Sequence, residues 1–133
     1  MSSDIPSKLD SSIARKIDPD ETVELLQNLV QIRSPFFEED AIATYIYDWL
    51  DERDLDPEYH PVTEPEITGF EGDNVIGKIE GSDPGAPTVL LNGHMDTVQH
   101  VNGWSEDPTS GRIEDGKLYG QGACDMKGGL AAI

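Results

Sequence analysis

Basic residues are scarce in this chain. Lys and Arg together number 9 against 27 Asp and Glu, giving a formal charge of −18 over 133 residues. A surface so negative repels nucleic acid and anionic membranes, so neither is expected as a partner. Cysteine is nearly missing: Cys124 stands alone, which excludes an internal disulfide and fits a reducing compartment. No stretch approaches the ~20 apolar residues of a membrane span. The opening MSSDIPSKLDSS has no apolar core of a secretory signal either, so the expected location is the cytoplasm. A GxxxxGK[ST] phosphate loop is also lacking. The acids are scattered (Asp18, Glu38, Glu39, Asp54, Asp56, Glu64, Glu66, Glu71) and form no tail. That distribution suits a halophilic protein, whose self-repulsion high ionic strength screens. DERDLD at 51–56 lacks the glycine and closing glutamate of a calcium loop.

What is present has the length of one domain. Residues 1–17 are a polar N-terminal segment with a faint helical stripe of Leu9, Ile13 and Ile17. Residues 18–133 read as part of an α/β domain. IDPDETVELLQNLVQI starts a helix with Asp18 as cap, Pro19 at the first position and Glu21 completing a capping box. Val23, Leu26, Leu29 and Val30 are its expected apolar face, and Ser34-Pro35 ends it. A second helix follows from Ile42, Tyr45, Ile46, Trp49 and Leu50 at helical spacing, with Glu38, Glu39 and Asp40 at its positive end.

After Arg53 the pattern shortens. EYHPV (58–62) and NVIGKI (74–79) are modest strands, and APTVLLN (86–92) predicts a central strand covered on both faces. GRIEDGKLYG (111–120) predicts a hairpin around Asp115-Gly116. DMKGGLAAI (125–133) reads as the start of a helix, so the chain is expected to stop inside an element.

Two ionisable residues, His94 and Asp96, close the strand-like run VLLNGHMDTV at 89–98. Alternation on a strand turns them to the same side, and in α/β proteins ligands bind at the carboxyl ends of strands. A neutral imidazole there can bind a metal, and a carboxylate two residues on can hold its other nitrogen. The alternative is a solvated strand end. GQGACDMKGG (120–129) sets Asp125 among glycines, which let a ligand approach the main chain. It is not a dinucleotide loop, because Asp125 stands where GxGxxG needs its third glycine.

Taken together, LNGHMDTV, GWSEDP and DGKLYGQGACDMKGGLAA resemble the dinuclear zinc amidohydrolases, from about Asp18 to the end of the chain. That family holds acetylornithine deacetylase, succinyl-diaminopimelate desuccinylase, aminoacylase and glutamate carboxypeptidase. The resemblance implies the N-terminal part of a zinc-peptidase-like catalytic domain, with a central mixed sheet flanked by helices. It implies that His94 binds one zinc, that Asp96 is the catalytic residue orienting that histidine, and that Asp125 bridges two zinc ions, with cobalt or manganese as possible replacements. A cis peptide at Asp125–Met126 comes with it.

The implied reaction is hydrolysis of an amide in a small N-acyl amino acid or short peptide, by a water whose pKa the metals lower toward ~7. A metallopeptidase activity is the nearest alternative, and a non-enzymatic truncated product another. The family's general base and further ligands follow MKGG and do not occur here, nor does its lid or dimerisation domain, so an inactive fragment of a homodimeric enzyme is expected. Departures are Gln121, where arginine is common, and Asp54, where glycine often closes the helix. Cys124 is expected as a small buried thiol, Trp104 as a packing residue, and His60 and His100 at the surface.

Overall fold

The computed structural model describes residues 17–133. The expected N-terminal helical stripe lies largely outside them. Helix α1 runs Pro19–Gln31 and helix α2 Asp40–Asp51. The cap of α1 is as expected on one side: an Asp18 carboxylate oxygen accepts from the N–H of Asp20 at 3.0 Å and of Glu21 at 3.3 Å. Glu21 does not reach back to close the box. Its carboxylate binds Arg53 at 2.7 Å, and Arg53 is preset for it by lying 3.8 Å over the Trp49 ring.

The buried face of α1 is Leu25, Leu29 and Val30, while Val23 is 43% exposed. The helix is therefore turned so that Leu25 takes the place expected for Val23. On α2, Ile42 and Ala43 are buried, and Tyr45, Ile46 and Trp49 pack on the core of Leu25, Leu29 and Ile42. Asp54 does what a glycine often does after a helix, taking φ 55°.

Strands β1 (Glu58–Glu64) and β2 (Phe70–Ile76) pair antiparallel, Glu58 opposite Ile76 and Glu64 opposite Phe70. The second strand begins earlier than its apolar pattern suggests, because the loop closes tightly. Glu64 accepts from the Thr68 N–H at 3.1 Å and Gly69 turns at φ 72°. It ends earlier as well, since the Lys78 N–H leaves the ladder for the Leu55 carbonyl at 2.7 Å. The 111–120 hairpin is found as expected: β3 (Arg112–Glu114) and β4 (Lys117–Tyr119) flank Asp115-Gly116, both at positive φ.

The architecture is the mixed α/β one expected, but its strands form two separate antiparallel pairs. Residues 86–92 correct the reading of a covered central strand. They form no ladder, and Val89, Leu90 and Leu91 are 77%, 84% and 61% exposed. A strand exists through its neighbours' hydrogen bonds, and none of the described strands pairs with this segment. The segment instead borders an open apolar cleft of about 440 Å³, shared with Leu25, Trp49 and Leu130. Beyond it, Thr97 makes a single parallel bridge to Pro35. The chain closes on a wide turn, Ala123–Lys127, and a short helix α3, Gly128–Ala132.

The core reaches Met95 on one side and Leu130 and Ala131 on the other, so it supports both segments that carry the candidate ligands. Ile42 is fully buried within it. Ile42→Ala should cost ~2–5 kcal/mol by lost burial and a cavity; a smaller change in the denaturation midpoint energy would show that this core is not close-packed.

Candidate metal centre

His94 and Asp96 lie on a segment stitched to the exit of α1. Ser34 Oγ donates to the Met95 carbonyl at 2.9 Å, and the Thr97 N–H donates to the Ser34 carbonyl at 2.8 Å. The Phe36 N–H adds a third bond, to the Thr97 carbonyl at 3.1 Å. Asp96 is thus fixed between two tethered neighbours. These bonds replace the sheet ladder that was expected to hold the strand end.

Asp125 lies on the wide turn that leads into α3. The Lys127 N–H reaches back five residues to the Gly122 carbonyl at 2.8 Å, and the Asp125–Met126 peptide is cis. Asp125 is extended at φ −133° and ψ 93°, and Met126, at φ −132° and ψ 34°, is not helical either. The path turns the Asp125 side chain out of the helix direction and toward His94.

The three residues meet. His94 Nδ1 lies 3.1 Å from an Asp96 carboxylate oxygen and 3.1 Å from the Asp96 carbonyl. His94 Nε2 lies 2.9 Å from an Asp125 carboxylate oxygen, across 31 residues of sequence. The hydrogen bond to Asp125 holds the imidazole pKa above its ordinary 6.5, with Asp96 adding to it and burial opposing. Without a metal, an imidazolium donating from both nitrogens fits this setting.

The donor set suits a divalent cation. With Nδ1 occupied by Asp96, Nε2 is the nitrogen free to coordinate, and it faces a carboxylate oxygen. Two donors on one tetrahedral zinc stand ~3.3 Å apart for bonds of ~2.0–2.1 Å, so the 2.9 Å pair needs to part only slightly. The Asp125 side chain is 88% exposed, leaving its second oxygen open. Among the described residues no cluster of three or more His, Cys, Asp or Glu could hold a metal.

Residues 90–133, which hold all three side chains, match the model of peptidase family M20/M25/M40. Over residues 90–133 this chain is similar to the M20 family. It is 33% identical over 115 residues to a probable succinyl-diaminopimelate desuccinylase of Staphylococcus aureus strain Mu50, covering 85% of this chain and 26% of that protein. A protein of the same name from Staphylococcus epidermidis is 34% identical over 113 residues, covering 84% and 26%. The succinyl-diaminopimelate desuccinylase of Rhodopseudomonas palustris strain BisA53 is 42% identical over 76 residues, covering 56% and 19%. The chain spans about a quarter of the length of the Staphylococcus proteins.

Other parts of this chain depart from expectation. Cys124 is exposed, not buried; the residue of that turn which goes inside is Lys127, 1% exposed. Trp104 is 47% exposed, so packing does not account for it. His60 is exposed as expected, and His100 is half-buried. Glu38 is off the site, its carboxyl held below the usual range by Arg33. Glu39 is pushed up by burial, with the Asp96 charge a smaller cause. Gln121 is buried and donates to the Val98 carbonyl at 2.6 Å.

Lys127 and Ser34 are the supporting residues that sequence reasoning missed. The Lys127 ammonium donates to the carbonyls of Leu29 at 2.9 Å and Ile32 at 2.7 Å, and burial lowers its pKa to about 8. A lysine amid apolar residues and glycines is a weak sequence signal, because lysine is rarely buried. The glycines around it do not open the backbone to a ligand as expected. A Cβ on Gly122, at φ 78°, would stand 2.7 Å from Thr97 Cγ2, so this glycine lets two protein segments close on each other.

The raised imidazole pKa stabilises the metal-free fold below the ordinary value, and the effect fades as pH rises through the raised one. In metal-free protein, the His94 ring should titrate above 6.5 by NMR, and Asp125→Asn should bring it back down. A midpoint unmoved by that substitution would mean the two groups are not paired in solution.

Proposed function

We propose that this chain is the N-terminal portion of the catalytic domain of a metal-dependent hydrolase. It would cleave the amide bond of N-acyl amino acids, as a deacetylase or desuccinylase does. The convergence of His94 Nε2 and Asp125 at 2.9 Å, with Asp96 on the other ring nitrogen, carries the reading. The names of the relatives favour a succinylated substrate over a peptide. Cleavage of a dipeptide or a C-terminal residue is the neighbouring activity within the family. On this reading the whole protein is a cytoplasmic homodimer. Among the described residues no helix is long and apolar enough to cross a membrane.

Each residue then has a task. His94 would hold one zinc through Nε2, and Asp125 would share in holding two. Asp96 holds the Nδ1 proton, which fixes the tautomer and makes Nε2 a stronger base. Bound zinc supplies Lewis acidity and brings the pKa of water toward ~7; cobalt or manganese would serve similarly. The proton shuttle and the remaining ligands belong, on this reading, to sequence beyond this segment.

The test compares two polypeptides. Residues 1–133 given zinc or cobalt and a panel of N-acyl amino acids should show no turnover, and the full-length protein should hydrolyse one of them. In the full-length protein, His94→Ala and Asp125→Ala should lower metal stoichiometry measured by elemental analysis. Asp96→Ala should cost ~10–100-fold in metal affinity or rate. Unchanged stoichiometry in both ligand variants would leave the chain without a metal-binding role.

A further inference from the structure

Two halves of the site, separated by 31 residues, must be brought to one place. Both are fastened to the same short stretch, the last turn of α1 and its exit at 29–36. The half with His94 and Asp96 is held by Ser34 and Phe36 through four hydrogen bonds to residues 95 and 97. The half with Asp125 is held by Lys127, whose ammonium reaches the carbonyls of Leu29 and Ile32.

The chemistry of a helix end explains the second fastening. The last carbonyls of an α-helix have no partner within it and carry partial negative charge. A basic residue in the last turn commonly answers them, yet α1 has none. The cation is brought instead from a residue 98 positions from Leu29. Its stem runs beside Gly122, where a Cβ would stand 3.3 Å from Lys127 Cδ. At 1% exposure, Lys127 cannot exchange this contact for water without moving the turn.

We infer that Lys127 is a positioning residue, clamping the Asp125 turn to the end of α1 so that Asp125 and His94 stay at the spacing of a shared cation. The inference rests on the metal-centre reading above. It assigns Lys127 no contact with substrate or metal.

The experiment uses the full-length protein and cobalt as probe. Lys127→Met is compared with wild type and with Ile42→Ala, which weakens the same core but removes no hydrogen bond that fastens either half of the site. Cobalt affinity is measured by chelator competition, the ligand field by visible absorption, and folding by circular dichroism. Folded Lys127→Met should bind cobalt ~10–100-fold more weakly, with an altered spectrum, and should lose kcat more than KM. Ile42→Ala should keep wild-type affinity and spectrum in its folded fraction. If Lys127→Met does not fold, Ser34→Ala tests the opposite arm of the clamp, with a several-fold loss of cobalt affinity expected. Wild-type affinity and spectrum in the folded variant would overturn the inference while leaving the metal centre intact. A wild-type protein that binds no cobalt would remove the metal-centre reading and this inference with it.

Discussion

An imidazole has two nitrogens, and at His94 each faces a carboxylate. The arrangement of this chain follows from that demand. One carboxylate lies two residues away and needs only a local bend; the other is 31 residues distant and needs a fold. A ring gripped from both sides cannot rotate without breaking a charge-assisted bond. Its orientation is therefore set before any cation arrives, which lowers the entropy cost of binding.

The fold supplies the second carboxylate by using α1 as a common mount. Its buried face of Leu25, Leu29 and Val30 anchors it in the core, and its C-terminal end presents carbonyls in need of donors. Segments 95–97 and 122–127 meet that end from different parts of the chain. Polar groups of the backbone, rather than a continuous sheet, thus hold the site within the described residues. The glycine at 122 allows those segments to lie in contact, where any side chain would separate them.

The parts legible in the sequence were those written in local patterns. Asp18, Pro19 and the spacing of Ile42, Tyr45, Ile46 and Trp49 announce helices whose caps and faces depend on residues within a few turns. Asp115-Gly116 announces its hairpin for the same reason. The pairing of His94 with Asp96 follows from a spacing of two, whereas its meeting with Asp125 came only from the resemblance of motifs. Long-range choices were hidden. Glu21 prefers Arg53 to its own helix end, Leu25 displaces Val23, and Lys127 goes inside, each decided by a partner far away in sequence. Residues 86–92 show the converse error, since an apolar run states a preference for strand without naming the strands that would pair with it.

That bare run has a physical consequence of its own. Thr88–Asn92 combines β-branched and aliphatic side chains with unpaired backbone amides, the composition from which intermolecular sheets nucleate. Pro87 on one side and the charged pair beyond Gly93 on the other confine the adhesive stretch to a few residues. The net charge of −18 keeps copies apart in dilute buffer. Concentrated salt would remove that electrostatic guard and strengthen apolar association together. In brine, then, colloidal solubility of this polypeptide depends on whatever shields five residues, and acidity alone cannot provide it.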